Sequence, residues 1–284
     1  MINFFQREGW AYVPSLFSAV EVPPLIQAFD RVVQGVYETG RAPHGVDKFA
    51  NGSLAKISNA WLADHTIAGM VLNPRIGKIA AELLGVEEIY LWADSLYWKG
   101  PYADTEQAVI GWHQDKHYWP ISSTEKMITC CVALYEADAR SGGLRFASGS
   151  HRWGLIEGTE AWTEKDNTTI HERPRAPEGE EWSEICPLVL PGGATFHHSL
   201  TFHGSGRNLT PFPRRSVTIH MVAGEGRLVN WEPVKDGYLE HVGLGNPFRG
   251  PLFPRLWPNG LADKMHCCCF GLIPDPECPE HGIP

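Results

Sequence analysis

No apolar run in this 284-residue sequence approaches the roughly 20 residues needed to cross a bilayer, so a membrane-spanning helix is not expected. Positive charge is in short supply. There are 24 Lys and Arg against 33 Asp and Glu, a formal net charge of −9, which weighs against nucleic acid or an anionic membrane as the main partner. The opening MINFFQREGW lacks a basic stretch followed by an apolar one, and the closing HGIP is not a recognised retention or peroxisomal signal, so a cytoplasmic location is expected. Cysteine is limited to seven residues, an odd number that reads as reduced thiols rather than a disulfide framework. Cys267, Cys268, Cys269, Cys278 and His281 lack the paired spacing of a zinc site, because adjacent cysteines cannot easily share one tetrahedral ion. The chain does have 43% hydrophobic residues, 13 His and 11 Trp. That composition fits a folded domain with a sizeable core.

Apolar spacing predicts a helix within 16–40, with Leu25, Phe29, Val32, Val33 and Val36 on one face, and a second over 74–84, opened by Pro74 and closed by Gly85. Strand-like runs follow at 89–98, 127–134, 143–147, 185–190, 194–197 and 215–222, separated by Gly- and Pro-rich turns. The expected organisation is a single domain over 1–284: N-terminal helices, a β-rich core at about 89–222 and an irregular tail over 224–284. The polar stretch 157–184 is a candidate loop over the site.

Two segments carry chemistry. In GWHQDKHYWP, His113 and Asp115 are two residues apart and share a face if the segment is extended. An imidazole and a carboxylate suit a divalent first-row metal such as Fe(II). In the second segment, His203 is expected to end a strand, and Arg214 follows eleven residues later. Along the next strand Arg214, Ser216, Thr218 and His220 share one face and Arg215, Val217, Ile219 and Met221 the other. This is the alternation of a barrel with a polar interior and an apolar exterior. An arginine inside a barrel needs an anion, which a dicarboxylate cosubstrate supplies. Two histidines and one carboxylate leave open positions on a six-coordinate iron for a 2-oxo acid and for dioxygen.

At these residues the sequence resembles the phytanoyl-CoA dioxygenase family of iron- and 2-oxoglutarate-dependent oxygenases. The motifs are F-x-x-x-G-W-x-x-V-x-x-L-F from Phe5, LYWKGP from Leu96, WHQDKHYWP from Trp112, GGLRFASGSHRWG from Gly142 and HGSGRNLTPFPR from His203. The resemblance implies a mainly β fold with helices, a double-stranded β-helix (cupin-like jelly roll) core flanked by N-terminal helices. It implies Fe(II), 2-oxoglutarate and O2 as cofactors and cosubstrates, with His113, Asp115 and His203 binding iron and Arg214 holding the far carboxylate of 2-oxoglutarate. Ser205, Ser216, Thr129 and Lys99 are expected beside the cosubstrate, and Trp112, Tyr118 and Trp119 at the pocket mouth. Asp115 stands where the family's halogenases carry a small residue, so halogenation is not expected; hydroxylation is the leading expectation, with desaturation, epoxidation and ring formation left open.

Of the other histidines, His198 and His220 are expected nearest the metal ligands, and His117, His151, His171, His197 and His241 at structural or surface positions. The expected substrate is a small organic molecule, such as a secondary metabolite, acted on by a monomer or homodimer. The alternatives are an acyl-CoA thioester, a binding protein that has lost its iron, and a zinc hydrolase. The intact ligand set with Arg214 weighs against the binding protein, and the zinc hydrolase would need a general base and make no use of Arg214.

Overall fold

The computed structural model describes residues 1–49, 53–103, 108–119, 123–158, 173–230, 239 and 242–258. The cysteine-rich tail, His171, His241 and residues 159–172 of the 157–184 stretch lie outside these.

The chain opens with helix α1 (Ile2–Glu8), which ends at Gly9 in the left-handed conformation, φ 76°. A side chain there would collide with His151 and Thr201, the built Cβ lying 2.5 Å from the Thr201 hydroxyl, so only glycine fits. The freed Gly9 carbonyl accepts bonds from the His198 amide (2.9 Å) and the Thr201 hydroxyl (2.7 Å). This turn therefore anchors the segment that delivers His203.

Strand β1 (Trp10–Val13) follows, then α2 (Val22–Val33), β2 (Gly45–Phe49), β3 (Leu54–Ser58), α3 (His65–Val71) and α4 (Pro74–Leu84). Helix α2 is shorter than the 16–40 expectation. Pro23 and Pro24 open it, Gly35 takes φ 80°, and Val36 is exposed beyond the end. Helix α4 matches its expected bounds, with the Asn73 side chain accepting from the Arg75 amide and Gly85 left-handed. The remaining elements are β4 (Ile89–Lys99), β5 (Ile110–His113), α5 (Asp115–Tyr118), β6 (Met127–Ala133), β7 (Leu144–Ala147), β8 (Glu184–Ile185), β9 (Ala194–His198), β10 (His203–Ser205), β11 (Arg214–Ala223) and β12 (Arg255–Trp257).

These strands build two antiparallel sheets. The larger runs β1-β9-β6-β11-β4-β3-β2, with β12 also paired to β4; the smaller runs β5-β10-β7-β8. This is the jelly roll expected from the sequence. Three differences stand out. The larger sheet takes β1, β2 and β3 from before residue 89. Of the 185–190 run only Ile185 lies in a strand, β8 (Glu184–Ile185), because Pro187 interrupts the rest. The region after 224 adds β12 and packs Phe248 and Phe253 against Trp92.

Alternation along the central strands decides where the core and the site lie. Val217, Ile219 and Met221 of β11, with Ile128, Cys130 and Val132 of β6 and Phe196 of β9, turn outward and are covered by α2, α3 and α4. Burying each such aliphatic side chain contributes about 1.5–3 kcal/mol. The intervening residues turn inward between the sheets.

One buried carboxylate tests this packing. Asp94 of β4 accepts the amides of Ala60 and Trp61, each at 3.2 Å, which open a short 3-10 turn. Burial pushes its carboxyl from 3.8 up to about 7, against the pull of those two amides. The folded state thus binds the extra proton between about pH 4 and 7. Stability from this group is greatest at the acid end and is lost as pH rises toward 7, by up to about 1.4 kcal/mol per unit. Urea denaturation at pH 5 and 7.5 should show Asp94→Asn lacking this component of the slope. An unchanged pH dependence would remove Asp94 as its source.

Candidate metal and cosubstrate site

His113 and His203 face each other as direct cross-strand partners of β5 and β10. Each imidazole is oriented in the same way. His113 Nδ1 donates to the Gly111 carbonyl (2.8 Å) and His203 Nδ1 to the Thr201 carbonyl (3.0 Å). This arrangement leaves both Nε2 lone pairs aimed at Asp115, whose Oδ1 lies 3.8 Å from one and 3.6 Å from the other. The three ligand atoms all lie within 4.8 Å of one another, and all three residues are buried. Burial, together with neighbouring imidazoles, depresses His113 and His203, keeping them neutral. Burial alone would raise Asp115, but His203, His197 and His220 outweigh it and hold the carboxylate ionised. A facial pair of neutral imidazoles with one carboxylate is the donor set for Fe(II).

Asp115 does not lie on the extended segment expected from its spacing to His113. Instead β5 stops at His113 and Asp115 starts the α5 turn. Gln114 between them is fully buried. It donates to the carbonyls of Gly154 (2.8 Å) and Leu200 (2.7 Å) and accepts from the Ile156 amide (2.9 Å), holding the bend. His203 begins β10 rather than ending a strand.

A cavity of about 170 Å³ lies against these ligands. Its walls include Arg214, Ser216, Thr218 and His220 of β11, the face read from alternation, and Thr129 and Cys131 of β6. Arg214 is almost fully buried and its Nε has no partner among the described residues. Among the described residues no carboxylate lies within ion-pair distance of it. A buried guanidinium in that state fits a carboxylate brought by a ligand.

Tyr118 and Trp119 line the cavity, set edge-on to His113 (5.7 Å) and His220 (4.7 Å). Trp112 does not. As the neighbour of His113 on a strand it faces the opposite way, against Trp182 at 4.9 Å. Lys99 is likewise displaced from its expected role. Its Nζ donates to the Ser205 hydroxyl (2.5 Å) and to the carbonyls of Ser205 (3.2 Å) and Gly206 (2.6 Å), so it braces β10 from behind. Ser205 passes its own proton to the Gly142 carbonyl (2.8 Å) while lining the cavity. Thr129 reaches Asp115 (2.6 Å) and the His220 ring (2.9 Å). His197, expected at a structural or surface position, is buried against Asp115, whereas His198 faces away and accepts the Leu200 amide. Lys56 of β3 also lines the cavity, its register partner Tyr97 beside it. Alternation along 54–58 was the only signal for it.

The sequence profile of the phytanoyl-CoA dioxygenase (PhyH) family matches residues 5–216. The chain belongs to this family. It is an iron(II)- and 2-oxoglutarate-dependent dioxygenase. Among curated relatives, a probable alpha-ketoglutarate-dependent hypophosphite dioxygenase of Stutzerimonas stutzeri is 26% identical over 88% of each chain. An ectoine dioxygenase of Sphingopyxis alaskensis is 24% identical over 79% of this chain and 75% of its own. The carbocyclase SnoK from nogalamycin biosynthesis shares the fold, with TM-score 0.70 and 21% identity over 89% of this chain and 94% of that one. Among the described residues no helix is long and apolar enough to cross a membrane.

Proposed function

We propose that this dioxygenase hydroxylates an unactivated C–H bond of a small organic molecule, a secondary metabolite being the best fit, with release of succinate and carbon dioxide. One observation carries the reading: the His113, Asp115 and His203 ligand atoms and the unpaired Arg214 fork face a single cavity. We propose His113, Asp115 and His203 as the iron ligands and Arg214 as the anchor for the far carboxylate of 2-oxoglutarate. Ser205 and Ser216 line the wall beside it. Iron(II) with 2-oxoglutarate and dioxygen supplies an oxidant able to take hydrogen from an aliphatic carbon. The chain's own part is to bind, orient and keep water out. His113 and His203 stay neutral, Arg214 sets the direction of the cosubstrate, and Tyr118 and Trp119 close the wall around the substrate.

The test begins anaerobically. Fe(II) and then 2-oxoglutarate are added to apo-protein, and the visible charge-transfer band of chelated 2-oxoglutarate is expected. Small metabolites are then screened for stimulated succinate release, and the product of a stimulating compound is analysed for oxygen from labelled dioxygen. Iron binding without the band would sink the cosubstrate assignment. A product that has lost hydrogen without gaining labelled oxygen would replace hydroxylation by desaturation or cyclisation.

A further inference from the structure

The outer oxygen of Asp115 is held by a row of side chains that crosses three strands of the larger sheet. His197 of β9 is the direct register partner of Thr129 of β6, and Thr129 is the partner of His220 of β11. All three point into the cavity. Two of them converge on Asp115 Oδ2: Thr129 Oγ1 at 2.6 Å and His197 Nε2 at 3.2 Å. The other oxygen, Oδ1, is the one turned toward His113 and His203.

We propose that His197 is a positioning residue that, with Thr129, clamps Asp115 Oδ2 so that only Oδ1 is presented to the metal. The inference rests on the metal site proposed above. An ionised carboxylate only accepts, so Nε2 of His197 must carry the proton it donates. Its tautomer is thus opposite to that of His113 and His203, which donate through Nδ1. The choice has a cost. With Nε2 committed, His197 Nδ1 is buried with no partner among the described residues, and an unsatisfied buried group of this kind costs stability. On its faces the ring packs beside the His203 ring, 4.1 Å away, and the Phe146 ring, 5.4 Å away. A phenylalanine would fill such a space without that cost. What the imidazole adds is the hydrogen bond to Asp115. The second donor matters because a carboxylate held by Thr129 alone is free to rotate about that single bond and offer both oxygens. Outer partners of this type typically set metal affinity by 10–100-fold.

The test uses Co(II) as a spectroscopic probe of full-length apo-protein under anaerobic conditions, so no turnover is needed. His197→Phe is expected to fold and melt at or above the wild-type temperature, because the orphaned nitrogen is gone. It should also weaken Co(II) 10–100-fold and shift the visible d–d bands. His197→Gln restores a donor at similar reach and should recover most of the affinity. In a double-mutant cycle with Thr129→Val the losses should be non-additive, because both donors act on one oxygen. A folded His197→Phe that binds Co(II) within twofold of wild type, with the same spectrum, overturns the clamp. Equal losses in His197→Phe and His197→Gln overturn it as well, since packing rather than donation would then be at work. Wild-type protein that binds no Co(II) would overturn the metal site itself.

Discussion

Replacing His203 with alanine is expected to give a folded protein that no longer holds iron and shows no 2-oxoglutarate-dependent succinate release above the metal-free background. His203 supplies one of the two neutral imidazoles, and its Nδ1 is fixed by the Thr201 carbonyl so that Nε2 can do nothing but face Asp115. Two remaining ligands cannot define a facial site, so the loss should exceed the 10–100-fold typical of outer partners. The fold should tolerate the change. The His203 ring packs 4.1 Å from the His113 ring, centroid to centroid, at the wall of the cavity. Trimming one of them should therefore stay within the roughly 0.5–3 kcal/mol range of ordinary substitutions. Metal analysis after anaerobic loading, read beside a thermal melt of the apo-protein, separates the two effects. A well-folded His203→Ala that retains one equivalent of iron at wild-type affinity would remove this residue from the site.

Arg214→Met should act on the cosubstrate and leave the metal in place. The half-saturating concentration of 2-oxoglutarate is expected to rise by roughly 10²–10⁴-fold, the consequence of leaving a buried carboxylate without its partner at about 3–5 kcal/mol. Iron affinity without 2-oxoglutarate should be unchanged, because Arg214 touches none of the three ligands. Apo-protein stability should hold or rise. The guanidinium is buried with an unsatisfied Nε, so without its anion it contributes desolvation cost and little else. A 2-oxoglutarate requirement that stays within a few-fold of wild type would move the anchor elsewhere on the cavity wall.

The polar face of β11 was legible because strand alternation is strict: Arg214, Ser216, Thr218 and His220 had to share a side, and each lines the cavity. Asp115 was legible as a residue but not as a geometry. The bend after His113 depends on Gln114 bridging three backbone groups from residues 154, 156 and 200, contacts that no local pattern announces. Trp112 was misplaced by treating a motif as a surface, when its neighbour His113 already fixed which way it must point. Lys99 was misassigned for a different reason. It lies opposite Arg214 in the ladder, so the two are neighbours, but its ammonium is spent on the carbonyls of Ser205 and Gly206. His197 stayed hidden beside His198 because the order of an adjacent pair reveals which one faces inward only once the register of β9 against β6 is known.

The position of β11 in the larger sheet has a consequence for how the protein is made. This strand lies between β6 and β4, and it is the last of the seven strands in the main path of that sheet to leave the ribosome. Until residue 223 has been synthesised, the two halves of the sheet have nothing to join them. The N-terminal strand β1 must likewise wait for β9, more than 180 residues later, before its backbone is paired. Such long-range pairing is slow and comes late in synthesis. His113 and Asp115 emerge well before His203, so a growing chain carries an incomplete ligand set for most of its synthesis. The three proposed ligands are thus brought together only after residue 203 has been made, late in synthesis.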